Sequence, residues 1–272
     1  MRITFLGGGN MASALIGGLL ARGRAAADFH VIDPIEATRV GLKARFGVES
    51  SATPAAASLA ADVIVLAVKP QQMQQAAESI APLMQRQLIV SIAAGIRMAD
   101  LARWLGGYRR LVRSMPNTPA LIGEGITGLV ADEDVDADQR AAAQAILSAV
   151  GRTVWLERES QIDAVTAVSG SGPAYVFAFI EAMERGGVAL GLSAAQARQL
   201  ALTTFTGAAR LAASSDESPS VLRERVTSKG GTTAAALSVM TQQRVADHIV
   251  EAMAAAHRRS IELGDEFGRQ AG

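Results

Sequence analysis

Gly7-Gly8-Gly9-Asn10-Met11-Ala12 stands directly after a short apolar run and opens a helical pattern. This G-x-G-x-x-A spacing suits the phosphates of a dinucleotide. Gly7 permits a tight turn, Gly9 lets a pyrophosphate approach the backbone, and Ala12 keeps the following helix near the sheet. The helix N-terminus then offers free N–H groups and a partial positive charge. The plain alternative is a strand-to-helix turn that holds nothing. Asp33 follows about twenty residues beyond the turn, at the end of a second strand. An acid there accepts hydrogen bonds from ribose hydroxyls, which favours NADH and repels a 2′-phosphate. Arg39 lies nearby and could pair with that phosphate. Asp33 is equally a residue type for a cap or turn before Pro34.

Ala67-Val68-Lys69-Pro70 and Ser91-Ile92-Ala93-Ala94-Gly95 each end a buried apolar strand. Ligands of open α/β sheets bind beyond such ends, and small residues leave room for the nicotinamide. Each is also an ordinary loop. Asn117, in the rigid turn Met115-Pro116-Asn117-Thr118-Pro119, could bond a ligand amide or simply shape the turn. Thr227-Ser228-Lys229-Gly230-Gly231-Thr232-Thr233 lies between two helical stretches. Its glycines allow N–H groups to converge as a nest, and its threonines open a helix whose N-terminus favours an anion. A small carboxylate fits; a flexible turn with a Thr cap is the alternative.

The elements that must position these residues change character along the chain. Strands are expected at Arg2–Leu6, His30–Ile32, Val63–Val68, Leu88–Ile92, Leu111–Arg113 and Ile126–Val130. Helices are expected at Met11–Arg22, Gln71–Gln85 and Met98–Leu105. Such alternation implies βαβ units and a doubly wound sheet. After Trp155 strand signals give way to Ala-rich helical stretches. Pro173 suits a first helical position, Ser193 with Gln196 resembles a capping box, Ser218-Pro219 starts a short helix, and Ala246–Leu263 is the last. We expect a dinucleotide-binding domain over 1–157 and an all-helical domain over 158–272. The helix Ala194–Ala213 is nearly apolar all round and needs cover on every side, from a second subunit or from a monomeric bundle.

Composition removes several function classes. The chain has 272 residues, 49% of them hydrophobic, which fits folded domains with real cores. Lys plus Arg and Asp plus Glu number 26 each, and aromatics are 4%, so neither an electrostatic footprint nor a stacking platform for nucleic acid is expected. No cysteine means no disulfide, thiolate catalysis or Cys-ligated zinc, and no metal site is expected. The choice fits a reducing cytosol. The glycines interrupt the apolar start after Arg2 too early for a signal peptide, and no run reaches the length of a membrane span.

Asp163-Ala-Val-Thr-Ala-Val-Ser-Gly-Ser-Gly-Pro-Ala-Tyr175, together with Thr227–Thr233, resembles the signature of pyrroline-5-carboxylate reductases. Gly7–Ala12, Ala67–Pro70, Ser91–Gly95 and Met115–Pro119 match that family's N-terminal blocks in order, so the likeness runs over nearly the whole chain. It implies an α/β Rossmann domain followed by an all-α helical dimerisation domain, with dimers often gathered into decamers. It implies reduction of a cyclic imino acid to L-proline in proline biosynthesis, by a cytoplasmic oxidoreductase using NADPH, with NADH also usable. By resemblance Gly7, Gly8, Gly9, Asn10, Met11, Ala12, Asp33, Ala67, Val68, Lys69, Pro70, Ala93, Ala94 and Gly95 hold the dinucleotide. Ser228, Gly230, Gly231, Thr232 and Thr233 hold the substrate's carboxylate and ring nitrogen, and Glu159 borders that site. Two departures stand out: Thr53-Pro54 replaces a ribose-contacting Asn of the family, and Lys229 replaces a common Pro.

An iminium is already electrophilic, so proximity and orientation suffice, with hydrogen bonds from the glycine loop and from Thr233 as the catalytic side chain. His30, His248 and His257 are read as structural or surface residues. A β-hydroxyacid dehydrogenase would need a lysine acid on the helix Ala174–Arg185, which has none. A non-catalytic dinucleotide sensor would keep Gly7–Ala12 but has no use for Thr227–Thr233.

Overall fold

The computed structural model describes residues 1–269. Its first stretch runs β1 (Ile3–Leu6), α1 (Asn10–Ala21), β2 (Phe29–Ile32), α2 (Glu36–Phe46), β3 (Glu49–Ser51), β4 (Val63–Leu66), α3 (Met73–Ile80), β5 (Leu88–Ser91), α4 (Met98–Trp104), β6 (Leu111–Met115), β7 (Gly125–Ala131), α5 (Ala137–Leu147) and β8 (Gly151–Trp155). The eight strands form one sheet in the order β3-β2-β1-β4-β5-β6-β7-β8. All neighbouring pairs are parallel except β6 with β7. The order turns back between β1 and β4, and a ligand crevice opens at such a switch point.

Central strands β1, β4 and β5 are buried along their whole length, as continuous apolar runs require. The two-residue period of a strand divides them between two cores. Phe5, Val31, Val65 and Val90 pack with Leu15 and Ile146 on one side of the sheet. Leu6, Ile32, Ile64, Leu66 and Ile89 pack with Met73 and Trp104 on the other.

Several elements differ from expectation for local reasons. The helix expected over 71–85 is shorter: 3-10 turns at Pro70–Gln72 and Ala81–Leu83 bracket α3, with a proline in each. Edge strands β3 and β8 lack an apolar run, β8 alternating exposed and half-buried positions. Helix α5 does carry a start signal, the capping box of Asp136 with Gln139.

Beyond β8 come α6 (Gln161–Val165), α7 (Gly172–Ala189), α8 (Ala194–Ala213), α9 (Pro219–Arg225), α10 (Thr232–Gln242) and α11 (Val245–Arg269). Among the described residues no strand follows Trp155. The compact units divide later than residue 157, between Ser171 and Gly172, and the chain rejoins the first unit from Ala256 onward. Packing explains both features. A Cβ on Gly128 would lie 2.9 Å from the Val165 side chain, so α6 sits directly on the sheet. A π-turn over Thr166–Gly170 follows, closed by Ser171 N–H donating to Thr166 O at 2.8 Å. The end of α11 is fastened by Arg97–Asp265 (2.7 Å), Ser260 Oγ–H donating to Asp163 Oδ1 (2.7 Å) and Phe267 against Gly95.

In the second unit the expected caps are present: the Ser193–Gln196 capping box on α8, and Ser218 with Pro219 on α9. Its only buried hydrophobic residues are Ala197 and Ala201. Phe177, Leu190, Leu200, Leu211 and Val250 are all more than half exposed. An apolar groove of about 380 Å³ runs along α7 and α11, lined by Ala178, Phe179, Ala182, Ile249 and Ala252. A helical body with so little interior needs cover from outside its own chain.

Candidate active site

The glycine turn is shaped by what presses on it. Gly7 has φ +101°, and a Cβ there would lie 2.7 Å from Ala67 O. Its N–H donates to Ile32 O at 2.8 Å. Ala67 thus sits against the turn, with Val68 half-buried beside it, Lys69 exposed, and Pro70 opening a 3-10 turn. Gly8 is hemmed in by Leu42 and Thr38. Gly9 is different: it precedes α1 with φ −68°, and a Cβ there would meet nothing within 4 Å. No side chain caps α1, so the amides at Asn10, Met11 and Ala12 form a bare helix end. Ala12 itself is fully buried against the sheet. An open backbone approach at an uncapped N-terminus fits a pyrophosphate.

Beside the turn, Leu6, Ile32, Pro34, Pro54, Val68 and Gln72 line a cleft of about 240 Å³. It lies beyond the carboxyl ends of β1, β2 and β4 and is apolar enough for a flat base. The Thr53-Pro54 departure thus places a proline on its wall. Asp33 does not reach into open space: it is 8% exposed and bonded to Gly8 and Ile35 amides. Arg39 Nη1 donates to Asp33 O (2.7 Å) and Pro34 O (3.0 Å), which fixes the guanidinium at this turn.

Further along the sheet the expected residues separate. Ala93 is packed in the core, Ala94 is half-buried, and Gly95 faces Phe267. Asn117 Oδ1 accepts from Ile126 N–H at 3.0 Å and so shapes its own turn. Glu159 Oε1 accepts from Arg113 Nη1 and from Met98 N–H, both at 2.7 Å. Arg113 is 3% exposed. It is the one charge in the apolar strand LVRSM, a signal that marks it as needing an internal partner. Glu159→Gln should therefore lower stability by about 3 kcal/mol, the cost of leaving a buried cation uncompensated. A thermal melt checks this; an unchanged melting temperature with a raised substrate KM would make Glu159 a substrate ligand instead.

In the second unit, the loop before α10 is built like the first turn. Gly230 has φ +73°, and Gly231 precedes the helix with no side-chain cap. A Cβ on Gly231 would lie 2.5 Å from Ser228 Oγ, and Gly231 N–H donates to Ser228 O at 3.0 Å. The first helical bond runs from Ala235 N–H to Gly231 O, leaving the amides of Thr232, Thr233 and Ala234 at a bare end. Thr233 is half-buried; Ser228, Lys229, Gly230 and Thr232 are exposed. This arrangement can hold a carboxylate.

His30 Nε2 lies 2.9 Å from Ser51 Oγ, and burial pushes its imidazole below the ordinary value, partly offset by Glu49. His248 Nδ1 lies 3.3 Å from Glu251 on α11. Among the described residues no group of His, Cys, Asp and Glu could hold a metal ion, and no helix is long and apolar enough to cross a membrane.

Comparison with known proteins covers both regions. A family described as pyrroline-5-carboxylate reductase dimerisation matches residues 159–263, and one described as NADP oxidoreductase coenzyme F420-dependent matches residues 2–95. A pyrroline-5-carboxylate reductase of Pseudomonas aeruginosa is 48% identical, over 98% of each chain. That of Haemophilus influenzae is 43% identical, over 97% of this chain and 98% of its own. The solved pyrroline-5-carboxylate reductase of Coxiella burnetii superposes with a TM-score of 0.92 at 39% identity, covering 96% of this chain and 98% of its own. Fold, paired glycine-built helix ends and full-length identity agree: the chain belongs to the pyrroline-5-carboxylate reductase family.

Proposed function

We propose that this chain reduces L-1-pyrroline-5-carboxylate to L-proline with NADPH, as the last step of proline biosynthesis in the cytoplasm. The observation that carries the reading is the uncapped, glycine-built start of α10 beside Thr233. It suits a small carboxylate on the ring carbon next to an imine nitrogen. The curated relatives are named for this reaction, and a Plasmodium falciparum relative with a TM-score of 0.85 was solved with NADP bound.

When bound, the reduced nicotinamide supplies the hydride that adds to the ring carbon of the C=N bond. The chain's own residues bind and orient. Amides from Gly9 to Ala12 hold the pyrophosphate, and the cleft at Pro34 and Val68 takes the adenosine. Ala67–Pro70, Ala94 and the loop to Gly95 border the nicotinamide half, with Asn117 shaping the wall. Ser228 and the amides of Gly230, Thr232 and Thr233 hold the carboxylate, with Gly231 shaping the loop. The protonated ring nitrogen donates to Thr233 Oγ, which turns the electrophilic carbon toward the hydride. The iminium proton stays on nitrogen as the C=N bond becomes C–N, so no further acid is needed. Helix α7 carries no lysine, which removes the acid a ketone-reducing relative would use. The test is NADPH oxidation with and without pyrroline-5-carboxylate: oxidation should require the imine and yield proline, and an imine-independent rate would sink the reading.

Arg39 is our candidate for the 2′-phosphate of NADPH. Its Nη1 is anchored to two carbonyls, which fixes the guanidinium where its remaining N–H groups can meet that phosphate. Arg39→Ala should weaken NADPH binding about tenfold and spare NADH. Equal losses for both, measured by titration, would remove Arg39 from the site.

The dimerisation family and the exposed apolar helices support a homo-oligomer. We assign the dimer to the helical region 158–272, with decamers as the higher assembly. Light scattering at micromolar concentration should give a dimer or multiples of it; a monomer contradicts the assignment.

A further inference from the structure

We infer that Asp33 is a positioning residue of the glycine turn rather than a ligand of the cofactor ribose. Each carboxylate oxygen accepts from a main-chain donor, which turns the side chain toward the backbone. Oδ2 accepts from Gly8 N–H at 2.8 Å, across 25 residues of sequence. Oδ1 accepts from Ile35 N–H at 2.8 Å, a local turn of the Asx type. The main chain of Asp33 is engaged as well: its N–H donates to Ser51 O at 3.0 Å, and its O accepts from Arg39 at 2.7 Å. At 8% exposed, the side chain offers little surface to a ribose hydroxyl.

The bond to Gly8 has a purpose in the turn. Gly8 lies between Gly7, which is pressed on Ala67, and Gly9, where the backbone is open. Gly8 is buried, so its amide would be a buried donor without this partner if the carboxylate were lost. Asp33 thus fixes the orientation of the peptide that leads into the phosphate-binding amides. Held in this way, the carboxylate is directed at the main chain rather than at a ribose hydroxyl. The choice of cofactor is left to groups outside it, such as Arg39.

This inference rests on the reading that the turn binds a dinucleotide, so the experiment separates the two. NAD⁺ and NADP⁺ are titrated into wild type, Asp33→Asn and Asp33→Ser, with the melting temperature of each protein measured without cofactor. Asn keeps the shape but can satisfy only one of the two amides. Ser can keep the turn to Ile35 but is too short for Gly8, and it serves equally if the Asn variant fails to fold. We expect both cofactors to weaken by about tenfold in each variant, with their ratio within about twofold of wild type, and a lowered melting temperature. A ratio shifted strongly toward NADP⁺ would make Asp33 a ribose ligand and overturn the inference. A lowered melting temperature with unchanged affinities would make it merely structural and overturn it too, as would no change in either. If wild type binds neither nucleotide, the dinucleotide reading itself falls.

Discussion

Gly9→Val is expected to keep the protein folded and to abolish dinucleotide binding. A Cβ at this position has nothing within 4 Å, and φ −68° is open to any residue. The cost to folding is then only the weaker helix start, about 1 kcal/mol. The added methyl groups stand instead where a pyrophosphate must approach the amides of α1. Losing two charge-assisted bonds of roughly 1.5–3 kcal/mol each raises Kd by at least about a hundredfold. Gly7→Ala serves as the contrast, because its Cβ would strike Ala67 O at 2.7 Å on a backbone with φ +101°. That variant should lose stability as well as affinity. Calorimetric titration with NADP⁺ decides the matter; a Gly9→Val protein binding within a few-fold of wild type would place the phosphates elsewhere.

Thr233→Ala should lower kcat/KM for the imine by about ten- to a hundredfold. The removed bond, to a partner carrying positive charge, is worth roughly 1–3 kcal/mol, and the rate follows that energy. Cofactor affinity should hardly change, since the glycine turn belongs to the other compact unit. The fold should also hold, because Thr233 follows the glycine that starts α10 and does not cap that helix. Thr233→Ser keeps the hydroxyl and should retain most activity. Wild-type turnover by a folded Thr233→Ala protein would leave the loop working through its backbone amides alone.

What was legible in the sequence was local. The glycine turn, the buried strands and the caps at Ser193 and Ser218 are written in neighbouring residues, and the structure has each of them. Long-range partnerships were not legible. Nothing in the neighbourhood of Asp33 announces the bond that its carboxylate accepts from Gly8, 25 residues earlier. Nothing in the neighbourhood of Glu159 announces its ion pair with Arg113, 46 positions away. Gly95 reads as room for a ligand, but Phe267 from the far end of the chain fills the space beside it. Edge strands β3 and β8 carry no apolar signal because an edge need not be apolar, and β8 alternates outward Arg152 and Val154 with half-buried neighbours. The return of α11 to the first unit leaves no mark in periodicity, since only its packing against Gly95, Arg97 and Asp163 assigns it there.

An isotope label follows the hydride from the cofactor into the imine ring. The purified protein is given pyrroline-5-carboxylate and NADPH carrying deuterium on the transferred side of nicotinamide C4, and the product is examined by mass spectrometry. L-proline should carry a single deuterium at the former C=N carbon and form in step with cofactor oxidation. Unlabelled proline, or label consumed with no proline formed, would contradict hydride transfer into the ring.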